Sequence, residues 1–194
     1  MSTVEHTNLI ERFTSADDDA CEAAAIVLGH QGPSGLSALV ELLAADEADA
    51  RFWAVRGLWA NGAPEAVEML IKALSDPEEM IRSGAALALG ELKTAAAVEM
   101  LAHLLTTDTS ESGSHAADAL AKIGQPAAQA LIEAVQDEHP WVRVRAAKAL
   151  VPVESKQAIP ALFQALDDDS YMVRHHAEEA LARMGVGQMV YFKV

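Results

Sequence analysis

A chain of 194 residues with 29 acidic and 14 basic side chains, formal charge −15, is a poor partner for a phosphate backbone, because each phosphate contact needs a cation. Hydrophobic residues make up 51% and aromatics only 5%, so the core must come from Ala, Leu, Val and Ile, a mixture that favours packed helices over strands. The single cysteine, Cys21, excludes an internal disulfide and a cysteine zinc cluster, and no apolar run approaches the ~20 residues of a membrane span.

The first segment, "TVEHTNLIERF", lacks the charged-then-apolar pattern of a secretion signal, and a cytoplasmic location is expected. It reads as a lone helix over residues 1–13 that caps the N-terminal end of a stack. From there the chain repeats. Leu58, Leu89, Leu120, Leu150 and Leu181 recur every 30 or 31 residues, and Val27 extends the series. A second series, Leu43, Leu74, Leu105, Val135 and Leu166, keeps the same beat.

Each unit reads as two helices. The first is expected to begin near an Asp (Asp46, Asp76, Asp108, Asp137, Asp168), a residue that caps exposed N–H groups, and often to end at Gly (Gly29, Gly124, Gly185) in a left-handed cap. The second starts after a short turn, sometimes at Pro (Pro33, Pro64, Pro126), and carries an apolar stripe such as Val67, Leu70, Ile71 and Leu74. Alanine pairs at 85–86, 116–117 and 146–147 should let first helices approach closely. The repeats occupy 14–185, ending on a final first helix, and the tail 186–194 is expected to cover the exposed end of the stack. All 194 residues are read as one domain.

The phrases "DPEEMIRSGAALALGEL", "DEHPWVRVRAAKALVPV" and "DDDSYMVRHHAEEALARMG" resemble the short HEAT-like repeat of the phycobilisome-lyase type, D-x-x-x-x-V-R-x-x-A-A-x-A-L-G-x-I-G. The resemblance covers nearly the whole chain. It implies an all-α, right-handed α-solenoid of about five two-helix repeats with half-repeats at both ends. Gly113 stands where the pattern has Arg, and Pro152 interrupts the end of one unit, so irregularity is expected at 106–115 and 152–155. The recurrent Arg51, Arg82, Arg143 and Arg174 are expected to pair with Asp or with carbonyls between neighbouring units, which suits a planar five-donor fork.

Solenoids bind on the concave face. The resemblance assigns that face to variable positions of the V-R helix. Here they include Phe52, Trp53 and Arg56, then Met80 and Leu87, then His115. Trp141 and Arg145 come next, and Tyr171, His175, His176 and Glu179 close the stripe. Aromatics, Met and Arg are enriched at interface cores, so the stripe is expected to grip a protein or peptide, with Phe52, Trp53, Trp141 and Tyr171 as anchors. The alternative is that these aromatics pack between repeats, as an aromatic just before V-R does in the family resembled.

The resemblance also implies two catalytic alternatives. Phycobilin lyases are built from paired subunits of this kind and handle a linear tetrapyrrole, for which Phe52, Trp53, Arg56 and Arg145 would offer a groove. Deoxyhypusine hydroxylase holds two irons through His-Glu dipeptides, and "VRHHAEEAL" resembles its repeat, yet none of the seven histidines here precedes Glu. His175 and His176 share a helix face with Glu179 and would chelate one ion weakly. Ser114, His115 and Asp118 fall within one short helical segment, which does not build a catalytic triad. The expectation is therefore a non-catalytic interaction scaffold with no cofactor and no metal, binding neither nucleic acid nor membrane.

Overall fold

The chain divides into two compact units, Met1–Leu92 and Lys93–Val194, and within each the first helices of the repeats stack with the second helices against them. In the computed structural model, residues 13–14 and 17–186 are described, and eleven α-helices lie wholly within them, with no strand.

Unit 1 contains α1 (Asp18–His30), α2 (Gly32–Leu43), α3 (Ala48–Asn61), α4 (Pro64–Ala73) and α5 (Glu79–Glu91). The first helices pack in the order α1, α3, α5, with α2 and α4 against α3. Leu58 and Leu89 of the leucine series are fully buried together with Leu39, Leu42, Leu70 and Ile81, each side chain contributing about 1.5–3 kcal/mol by leaving water.

Unit 2 contains α6 (Val98–Thr107), α7 (Glu111–Ile123), α8 (Ala128–Ala134), α9 (Pro140–Val153), α10 (Ile159–Ala165) and α11 (Tyr171–Arg183). Single 3₁₀ turns, Ala95–Ala97, Gln125–Ala127 and Lys156–Ala158, lead into α6, α8 and α10. Here α7, α9 and α11 are the stacked first helices. The alanine pairs at 85–86, 116–117 and 146–147 are buried, as the close approach requires.

Val27 does not occupy the leucine position expected of it. Ala24 and Ala25 are buried 30 residues before the buried Ala54 and Val55, so Leu28 is the counterpart of Leu58. A one-residue shift turns a helical side chain by about 100°, and Val27 is 55% exposed. Gly29 is likewise no cap: it lies inside α1, and a Cβ there would come within 2.5 Å of the Gly57 carbonyl oxygen on α3. Gly124 and Gly185 do take positive φ, 80° and 74°.

The repeated aspartates also work differently from the N-caps expected. The carboxylates of Asp76, Asp108, Asp137 and Asp168 accept from the N–H of Glu78, Ser110, His139 and Ser170, each of which is the N-cap residue of its helix. Each Asp therefore closes an Asx turn just ahead of the helix. This placement leaves carboxylate oxygens for the framework arginines. Arg51 donates from Nε to Asp76 at 2.9 Å and from Nη2 at 3.1 Å. Arg143 does the same with Asp168, at 2.6 and 3.1 Å. The Nη1 atoms of Arg51, Arg82, Arg143 and Arg174 each donate to two successive carbonyls of the turn before their own helix.

Both expected irregularities are present. Pro152 lies inside the last turn of α9, removing a backbone donor, and Glu154 ends that helix at φ 51° in the left-handed region usually left to Gly. At Gly113 no framework arginine is available, and the turn before α7 takes its donor from α9 instead. Of the expected N-terminal capping helix, residues 1–13, only Phe13 is described, and it is buried. The expected covering tail lies beyond Val186, outside the described residues.

Candidate interaction surface

The residues expected to bind lie on the first helices, and they differ widely in exposure. In unit 1, Met80 (44% exposed) and Leu87 (36%) stand on α5, seven residues or two turns apart, with no burial to account for their size. Phe52 is half-buried on α3 and meets Trp53 edge to face, ring centroids 4.9 Å apart. Trp53 itself is only 8% exposed. Its indole belongs to the packing of unit 1, and this expected anchor is inaccessible to a partner. Arg56 pairs with Glu22 of α1 and lies 5.0 Å over the Trp59 ring.

In unit 2 the register is instructive. Counting from the framework position, held by Arg51, Gly113, Arg143 and Arg174, the residues Trp53, His115, Arg145 and His176 all come second after it. Trp53 is buried there, and the other three are half-buried. Arg145 reaches furthest. Its Nη1 donates to the Asp108 carbonyl at 2.6 Å, Nη2 to the Ser110 carbonyl at 2.7 Å, and Nε to Ser114 Oγ at 3.0 Å. These acceptors belong to the turn before α7 and its first turn, where Gly113 replaces the framework arginine. A Cβ on Gly113 would overlap both Arg145 Nη1 and the Asp108 carbonyl. The missing arginine is thus supplied from the next repeat. Burial pushes the Arg145 pKa down, and the nearby Asp108 opposes that shift.

Around it the turn is closed by Asp108, whose two carboxylate oxygens accept from Ser110 Oγ at 2.6 Å and Ser112 Oγ at 2.5 Å. The Trp141 ring stacks on the guanidinium of Arg145 at 4.8 Å, so Trp141 is half-buried as the lid of this network. His115 is half-buried and its Nδ1 is buried without a hydrogen-bond partner. Neither arginine expected in a tetrapyrrole groove is free: Arg56 is ion-paired and Arg145 is enclosed.

The structure brings Tyr171, His175, His176 and Glu179 together on α11. Tyr171 is 67% exposed and stacks on His175, centroids 6.0 Å apart and 14° from parallel. His176 Nδ1 stands 3.5 Å from Glu179 Oε2. Met172, beside Tyr171, is 44% exposed. Sequence reasoning missed Phe163, 39% exposed on α10; its only signal is that it follows the buried Leu162, one position around the helix. It also missed the lateral pair Lys148–Asp118 at 3.1 Å, which joins α9 to α7 at equivalent positions of two repeats.

The sequence matches the HEAT repeats pattern twice, over residues 36–112 and 113–182. No curated protein matches it. Among solved structures, an engineered protein superposes with TM-score 0.55 at 25% identity, covering 96% of this chain and 98% of the other. The complex of CpcE and CpcF of phycocyanin lyase from Nostoc sp. PCC7120 gives 0.54 at 23% identity, covering 93% and 77%. A designed armadillo repeat protein in complex with the peptide (KR)4 gives 0.53 at 18% identity, covering 91% and 98%. The latter two likenesses concern the fold. No helix among the described residues is long and apolar enough to cross a membrane.

Proposed function

Since the chain belongs to the HEAT-repeat family, we propose that it is a non-catalytic scaffold holding a protein or peptide partner on the exposed face of its first helices. The observation that carries this reading is the set of large apolar side chains left in solvent there: Met80 and Leu87 on α5, Tyr171 and Met172 on α11. The core is satisfied without them. Their size and type match the centre of a protein interface, where desolvating an aromatic or Met side chain gives most of the binding energy.

The partner class comes from charge. A surplus of 15 negative charges draws cationic segments and repels anionic ones, so a basic peptide is the favoured occupant. The designed armadillo protein with (KR)4 pairs this type of fold with such a peptide. Long-range attraction brings the peptide to the surface, and the exposed apolar groups fix it by packing against the aliphatic stems of its Lys and Arg side chains.

Charge-neutral substitutions separate specific docking from bulk attraction. Labelled (KR)4 is titrated with the wild type and with the Met80→Ser/Leu87→Ser and Tyr171→Ser/Met172→Ser pairs, read by fluorescence anisotropy. Affinity is expected to fall about tenfold in at least one pair, equivalent to about 1.4 kcal/mol, with helicity unchanged. Equal affinity in all three proteins would leave only non-specific attraction and would sink the reading.

A further inference from the structure

We infer that His175, His176 and Glu179 on α11 form a binding site for one divalent transition-metal ion of the zinc type. The inference goes beyond partner docking and does not depend on it. All three residues offer a ligand atom, and these atoms lie within 4.8 Å of one another. The helix supplies the arrangement: Glu179 follows His175 by four residues and His176 by three, so all three project to one side.

The His176 imidazole carries the argument. Its side chain is 14% exposed, and its Nδ1 is buried with no hydrogen-bond partner. A buried ring nitrogen without a partner costs free energy, and His115 at the equivalent position shares that condition. What sets His176 apart is a carboxylate and a second imidazole beside it. Glu179 Oε2 is 3.5 Å away, longer than an ordinary hydrogen bond. That separation does fit two ligands of one ion. With arms of about 2.1 Å, adjacent ligands of a tetrahedral centre stand about 3.4 Å apart.

His175 completes the set. Its ring centroid is 5.3 Å from that of His176, and Tyr171 stacks on it with centroids 6.0 Å apart. Being exposed, His175 can close the remaining distance with a small torsional change. Two imidazoles and one carboxylate are a borderline donor set, which selects zinc, copper or nickel over magnesium and calcium. His175 and Glu179 are both exposed, so the fourth coordination position faces solvent. Three protein ligands with an open position is the pattern of an accessible rather than a closed structural site.

Chelator-treated full-length protein titrated with ZnCl2 at neutral pH, read by calorimetry, tests this. The expected result is one zinc equivalent whose affinity falls about tenfold or more in His176→Ala and in Glu179→Gln, and is retained in His139→Ala, which removes the unrelated imidazole beside Asp137. Zinc should also raise the melting temperature of the wild type and not of the two variants, since a ligand that binds only the native state stabilises it. Glu179 is exposed, so Glu179→Gln decides the matter if His176→Ala folds poorly. Zinc affinity unchanged in Glu179→Gln, or displacement of zinc by equimolar calcium, would overturn the assignment.

Discussion

Arg145 on α9 occupies the place that a side chain at residue 113 on α7 would fill, with Nη1 donating to the Asp108 carbonyl at 2.6 Å. The departure from the repeat and its compensation therefore lie in different repeats. In four other repeats the corresponding carbonyls receive Nη1 of that repeat's own arginine.

Gly113→Ala is expected to destabilise unit 2 by about 1–3 kcal/mol, because the added methyl overlaps the Asp108 carbonyl and the guanidinium within a packed turn. Arg145→Met should cost a comparable amount, about 1–3 kcal/mol, by leaving the Ser110 and Asp108 carbonyls unpaired in a half-buried site. The two effects share one site, so the double variant should cost less than the sum, measured by urea denaturation. Strict additivity would show that the two positions act independently.

Asp168 sets an acid limit on stability. The hydrogen-bonded Arg143 guanidinium holds its carboxyl below the usual carboxylate range, against the opposing effect of burial. A carboxyl whose pKa is lower in the native state than in the unfolded chain binds fewer protons when folded. Its contribution is complete above about pH 4–5 and disappears as the pH falls through the native value. Asp168→Asn should therefore lower the melting temperature near neutrality and flatten its decline below about pH 4. An acid profile parallel to the wild type would contradict this role.

Trp53 and Tyr171 should separate cleanly. Trp53→Ala removes a buried indole and is expected to cost about 3–5 kcal/mol. Tyr171→Ala, at a side chain 67% exposed, should stay within about 0.5 kcal/mol. Chemical denaturation of each variant reads both.

The crossing of α1 and α3 is fixed by two glycines. Gly29 faces the Gly57 carbonyl, and a Cβ on Gly57 would come within 2.8 Å of the Ala25 carbonyl. Either Gly→Ala substitution gains helix propensity of about 1 kcal/mol but forces the two backbones apart. A net loss of stability is expected, and a net gain would mean the helices separate at little cost.

Much of this architecture was legible because periodicity reports burial. The leucine and alanine positions face the same neighbours in each repeat, and the arginine row pairs as its donor geometry suggests. What was not legible has local causes. The first spacing is one residue shorter than assumed, which turned Val27 outward. Asp76 and Asp168 sit ahead of the caps, where their carboxylates also serve an arginine 25 residues earlier. Trp53 and Arg145 read as surface groups because their register position looked variable, whereas Trp53 is buried there and Arg145 reaches the preceding first helix. A side chain's reach toward a defect in another repeat has no signature in its own segment.

The most direct test of the scaffold reading is methyl NMR of the methionines during titration with (KR)4. Met80 and Met172 lie exposed on the first helices, while Met69 on α4 and Met100 on α6 are internal controls on second helices. The account predicts saturable shifts of Met80 or Met172 with Met69 and Met100 unmoved. Shifts confined to Met69 and Met100, or none at saturating peptide, would contradict it.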